Sequence, residues 1–223
     1  MFHTRLYALG QAFALTSLAS GYSTWPSDTD YLESILYEQI SDIFFSPMSA
    51  VVPCEALNLG PGRSVAAEWI RAGFHDMATA DVEAGTGGLD VSIAFELDRA
   101  ENPGFPQFRE TFFITSNAFT SRASMSDLLA MEVLTAAGAC SGGKVGFPFK
   151  AGRIDATGPG PKGVPEPTDD LDSTVAAFKR IGFSEKEMIG LVACGHTLGG
   201  VHGADFPEIV DLPANNTVCL QWL

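Results

Sequence analysis

The chain has 223 residues, 46% of them hydrophobic, and carries 13 Lys and Arg against 27 Asp and Glu for a net charge of -14. That apolar content supports a real core in one large domain or two small ones and argues against a disordered chain. The acidic balance repels phosphate backbones and anionic lipid surfaces, so neither nucleic acid nor a membrane is expected as a partner.

The N-terminal stretch "MFHTRLYALGQAFALTSLASGYS" places Arg5 ahead of a mostly apolar run from Leu6 to Ala19, followed by small residues. It reads as a secretory signal over residues 1–21, with a buried N-terminal helix as the rival; the run is too short to span a bilayer. Secretion would put Cys54, Cys140, Cys194 and Cys219 in an oxidising compartment, where three disulfide pairings are open to them. The sequon Asn215-Asn216-Thr217 agrees with that compartment.

Helical periodicity dominates the rest, and a mainly α fold is expected. "DTDYLESILYEQI" reads as a first helix behind Asp28, Thr29 or Asp30. "SVAAEWIRAGFHDMA" follows, with Ser64 as its cap and Glu68 in the early turns. After it, "TADVEAGTGGLDVSIAFELDRAENPGFPQF" reads as a long functional loop region. "SMSDLLAMEVLTAAGA" opens on Ser124-x-x-Asp127 and closes on Gly138. "DSTVAAFKRIG" and "SEKEMIGLVACGH" are two short helices, broken at Gly182 and restarted by a capping box of Ser184 and Glu187.

Within the second of these helices, Arg71 and His75 stand four residues apart and so share one face. A histidine beside a fixed positive charge stays neutral and can accept a proton, while the arginine stabilises negative charge that develops on a neighbouring atom. The pair could deprotonate a small acid and support its cleavage. Hydrogen peroxide fits: one oxygen gives up a proton, the O–O bond breaks, and the leaving oxygen needs a proton and a positive neighbour. Such a site needs a redox centre, for which a haem iron held by His196, at the end of the last helix, is the natural candidate.

The motif Arg71-x-x-Phe74-His75-Asp76 and the later Gly195-His196-Thr197 resemble the distal and proximal signatures of the plant-type haem peroxidase superfamily, most of all its secreted fungal members. The resemblance runs from about residue 30 to about residue 215, in the expected order. It implies the helical peroxidase fold with haem b between a distal half at 22–150 and a proximal half at 151–223. It makes His75 the acid/base, Arg71 the transition-state stabiliser, Phe74 the distal-face aromatic and His196 the axial iron ligand. In "ENPG", Asn102 would accept the His75 ring N–H, although Asn-Pro-Gly is also an ordinary turn signal.

Asp76, Gly88, Asp90 and Ser92 match the family's distal Ca²⁺ site, and Thr197 matches the start of a second, incomplete one; a solvated acidic loop is the rival for the first. The resemblance further implies a Cys54–Cys140 disulfide, leaving Cys194 with Cys219, and a structural carboxylate–arginine pair between Asp127 and Arg153. The implied partners are H2O2 and a small reducing substrate, and the implied state is a secreted monomer. The chain ends 27 positions after His196, short of the aspartate that supports the proximal histidine in the family, so a truncated, haem-poor fragment is the alternative expectation.

Other motifs carry less. "GPGPKG" matches a nucleotide-binding pattern literally, but it follows no strand and its prolines remove backbone donors. Cys194, His196 and His202 have no familiar zinc spacing. The His75-Asp76 doublet would suit an HD-type metal phosphohydrolase only with further His and Asp ligands, and Arg71 would then have no role.

Overall fold

The computed structural model describes residues 51, 54, 64–105, 109, 124–142 and 148–199. The expected signal sequence over 1–21, the helix expected around 28–40, the sequon and Cys219 lie outside them. Among the described residues the regular structure is helical, with a single isolated bridge between Asp81 and Thr86.

Helix α1, Val65–Met77, begins where the Ser64 side chain accepts the Ala67 N–H at 3.4 Å. Helix α2, Met125–Cys140, begins the same way, Ser124 accepting the Asp127 N–H, and runs two residues beyond the expected stop at Gly138. A glycine inside a helix costs about 1 kcal/mol against alanine, and the residues just beyond it, Ala139 and Cys140, pack against the core. Helix α3, Leu171–Ile181, is capped by Asp170 and stopped by Gly182 at φ 99°, a left-handed position that glycine takes without strain. Helix α4, Glu185–Gly195, carries the full capping box between Ser184 and Glu187.

Helix α1 packs along α2, and their apolar faces enclose Trp69, Leu128 and Leu129, joined by Ile93 and Phe105 from the intervening loop. The two helices approach closely at Gly73, where an added Cβ would lie 2.5 Å from Val133 Cγ2. Cys54 and Cys140 form a disulfide that ties the segment ahead of α1 to the end of α2. Closing a loop across a separation of 86 residues is worth about 4–5 kcal/mol in the chain-entropy account of cross-links. Cys194 is exposed and has no disulfide partner among the described residues.

Segment 148–170 is not helical and acts as a strap across the loop that follows α1. Gly160 donates its N–H to Glu96 Oε1 at 2.6 Å, and Arg99 donates to the carbonyls of Gly160 and Pro161. A side chain at 160 would come within 3.2–3.3 Å of Glu96, Ser92 and Thr79, so the "GPGPKG" glycine is a close-approach residue. Arg180 on α3 closes the other end by donating to the carbonyls of Ala78, Ala80 and Gly163. The Asp127 carboxylate accepts from Gly152 N and from Arg153 Nη1 at 2.9 Å, the structural pair expected, while Ser124 does the capping. Asp155 accepts the Met125 and Ser126 N–H groups and so lays a negative charge on the α2 N-terminus.

Candidate functional site

Successive positions Ala67, Arg71 and His75 of α1 lie one above another on a single face. His75 is buried, and its Nδ1 lies 2.7 Å from Asn102 Oδ1. The Asn102 amide is oriented by its other end, since Nδ2 donates to the Glu96 carbonyl at 2.9 Å. Oδ1 must therefore face the histidine, Nδ1 must carry the proton, and Nε2 of the neutral ring is left as the base. Burial first, and the Arg71 charge second, hold His75 down to about 3, against a smaller opposing effect of the Asn102 hydrogen bond. The ring is neutral at any ordinary pH.

Arg71 donates Nη1 to the Pro103 carbonyl at 2.7 Å, and its guanidinium carbon lies 4.3 Å from the centre of the Phe105 ring. The same ring meets His75 edge to face at 4.9 Å. Phe74, expected as the aromatic of the distal face, stacks on Phe178 of α3 at 5.9 Å and meets His75 only edge-on at 5.9 Å. Neighbours on a helix are turned about 100° apart, which aims Phe74 away from the face that carries His75. The ring in contact with both Arg71 and His75 belongs to Phe105. Its sequence signal was slight: an apolar residue closing an Asn-Pro-Gly turn.

Asp76 points into the loop. One of its oxygens accepts the Asp90 and Val91 N–H groups, each at 2.8 Å; the other accepts Ile93 N–H at 2.8 Å and the Ser92 hydroxyl at 3.4 Å. Burial chiefly, with the neighbouring Asp90 charge, pushes its carboxyl up to about 6 against the pull of those amides. Val91 is held at φ 62°, where a β-branched residue is strained, while Gly88 occupies φ 118°, open to glycine. Asp90 Oδ1 turns back to accept the Ser92 N–H. Among the described residues no three His, Cys, Asp or Glu side chains converge as a metal cage. His75 and Asp76 engage separate partners, Asn102 and the loop amides.

His196 follows the last residue of α4, exposed, its own N–H bonded to the Val192 carbonyl. Ile189 and Val192 on the same helix are also exposed. Thr197 spends its hydroxyl on the Cys194 carbonyl at 2.6 Å. Three residues beyond His196 the chain meets α1: a Cβ on Gly199 would stand 2.6 Å from Ala67 Cβ. The segment after His196 thus abuts the face of α1 that carries Arg71 and His75.

A family model described as Peroxidase matches residues 55–221, three quarters of the chain. The chain belongs to the peroxidase family.

This peroxidase is 42% identical over 207 residues to a WSC domain-containing protein of Arthroderma benhamiae, a match covering 92% of the chain and 28% of that protein. It is 34% identical over 142 residues to the mitochondrial cytochrome c peroxidase of Emericella nidulans, covering 60% of the chain and 37% of the relative. It is 28% identical over 221 residues to manganese peroxidase 2 of Phlebia radiata, covering 92% and 53%. The chain thus spans between about a quarter and about a half of the length of these relatives. No described helix is long and apolar enough to cross a membrane.

The depressed His75 has a consequence for the stability of the peroxidase. Its ordinary value is 6.5 and its folded value about 3, so between those limits the unfolded chain takes up a proton that the folded chain refuses. The contribution of His75 is fully present above pH 6.5 and is lost as pH falls toward 3. Asp76 runs the other way between 6 and 3.8, so parent and variant must be compared. Urea denaturation of parent and His75→Gln should show the parent's relative stability declining steadily on acidification across that window. A difference independent of pH would mean that the ring is not held neutral.

Proposed function

We propose that this chain is a secreted haem peroxidase that reduces H2O2 and oxidises a small organic or metal donor in one-electron steps. The observation that carries this reading is the buried, neutral His75, held by Asn102 through Nδ1, with Arg71 beside it. In that state Nε2 would take a proton from one oxygen of the peroxide and return it to the departing oxygen as the O–O bond breaks, with bound haem supplying the electrons. Arg71 stabilises the negative charge that gathers on that oxygen. Asn102 keeps the ring in the one tautomer able to do this.

The residues present suit haem: His196 is an exposed imidazole free to act as axial ligand, and the exposed Ile189 and Val192 offer apolar surface to a flat ring. When bound, haem supplies the iron couple that accepts the oxidising power of peroxide and passes it on one electron at a time. Ca²⁺ belongs to the same proposal. Asp76, Asp90, Ser92 and the main chain around Gly88 provide hard oxygen donors in one loop, and a divalent cation would relieve the buried Asp76 charge while sharing its oxygens with the amides. At the second site Thr197 brings only one side-chain oxygen, already bonded to Cys194.

A second reading, a haem-poor member without turnover, is favoured by the exposure of His196 at the end of α4. An absorption titration of the secreted chain with haem in the presence of Ca²⁺, followed by one equivalent of H2O2, separates the two. Stoichiometric haem with a Soret band that shifts on peroxide addition supports the peroxidase. A folded chain that takes up no haem supports the second reading.

A further inference from the structure

The turn Asn102-Pro103-Gly104-Phe105 touches both members of the pair on α1. Asn102 holds His75, the Pro103 carbonyl accepts Arg71 Nη1 at 2.7 Å, and the Phe105 ring lies against both side chains. Phe105 is 1% exposed and belongs to the α1–α2 core, so its ring cannot swing aside without opening that core. Arginine has a long side chain whose many rotamers give the guanidinium group considerable freedom. An aromatic face beneath the carbon removes that freedom, because the cation is drawn to the ring and the two planar groups stack.

We propose that Phe105 is a positioning residue for Arg71: its ring sets the plane of the guanidinium and the Pro103 carbonyl sets its end, so the charge stands at a fixed place beside His75. The catalytic consequence rests on the peroxidase reading. The placement itself does not.

Two arms test this on the full chain with Phe105→Leu, Phe105→Met and Phe105→Tyr, so that one poorly folding variant does not end the experiment. In the haem-free protein, ring current from Phe105 should shift the Arg71 side-chain resonances upfield. That shift should vanish in the Leu and Met variants and persist in the Tyr variant. Unchanged Arg71 resonances in a folded Leu or Met variant would overturn the proposal, whether or not the chain binds haem. In the haem-loaded protein, the bimolecular rate with H2O2 should fall roughly two- to thirty-fold in Phe105→Leu, the range such a cation–π contact is worth. It should recover in Phe105→Tyr. In an Arg71→Leu background the same Phe105→Leu change should have little further effect, because the residue acts through the arginine. An undiminished fall in that background would show that Phe105 acts on His75 or on the fold instead. A parent chain without peroxide reactivity would sink the peroxidase reading, and the resonance arm would still decide the placement.

Discussion

His75→Ala is expected to lower the second-order rate with H2O2 by about a hundred- to ten-thousand-fold, the usual worth of a positioned general acid–base. His75 offers a ring nitrogen that carries no proton, whereas its neighbour Arg71 never releases one and so cannot act as a base. The histidine is not an iron ligand in this reading, so haem uptake should be preserved. The substitution has a structural cost, because it leaves the Asn102 carbonyl buried without its partner, worth about 1–3 kcal/mol. Thermal denaturation of the same preparation therefore accompanies the stopped-flow measurement. A variant that stays folded, binds haem and reacts with peroxide at the parental rate would remove His75 from the mechanism.

His196→Ala should have the complementary outcome, a chain that folds as before and retains no haem. Losing even an outer partner of a metal ligand typically costs ten- to a hundredfold in affinity, so losing the axial ligand itself should weaken haem binding by more than about a hundredfold. The side chain is exposed at the end of α4, so its removal should change stability by no more than about 0.5 kcal/mol. Haem titration monitored at the Soret band checks the first point and far-UV dichroism the second. Added imidazole, filling the space of the missing ring, should restore part of the binding. A variant that binds haem as tightly as the parent would require another ligand.

Most of what places these two histidines could be read from the sequence, because local rules govern it. Ser64, Ser124 and Ser184 announce three helix starts by chemistry confined to a single turn, and the four-residue spacing of Arg71 and His75 fixes their common face. The hydrogen bond from His75 to Asn102 spans 27 residues and was legible only through the family resemblance. What escaped depends on tertiary contacts. Phe105 matters because a turn returns it under Arg71, and Arg180 matters because it gathers carbonyls about a hundred residues away in sequence. Neither position differs locally from an ordinary core phenylalanine or surface arginine. Asp155 likewise caps a helix that begins 30 residues earlier, beyond the reach of any capping pattern.

The contact at Gly73 carries a consequence for how sequences of this kind can vary. Position 73 lies two residues before His75, and Val133 already fills the space that its side chain would take. The volume there is one quantity divided between two positions, so a larger residue at 73 is tolerable only with a smaller one at 133. Among natural relatives those two sites should therefore change together, with an alanine or serine at the first accompanied by a loss of bulk at the second. Drift at 73 alone would push α1 off α2 and carry His75 with it, so this glycine constrains the site although it touches none of the chemistry.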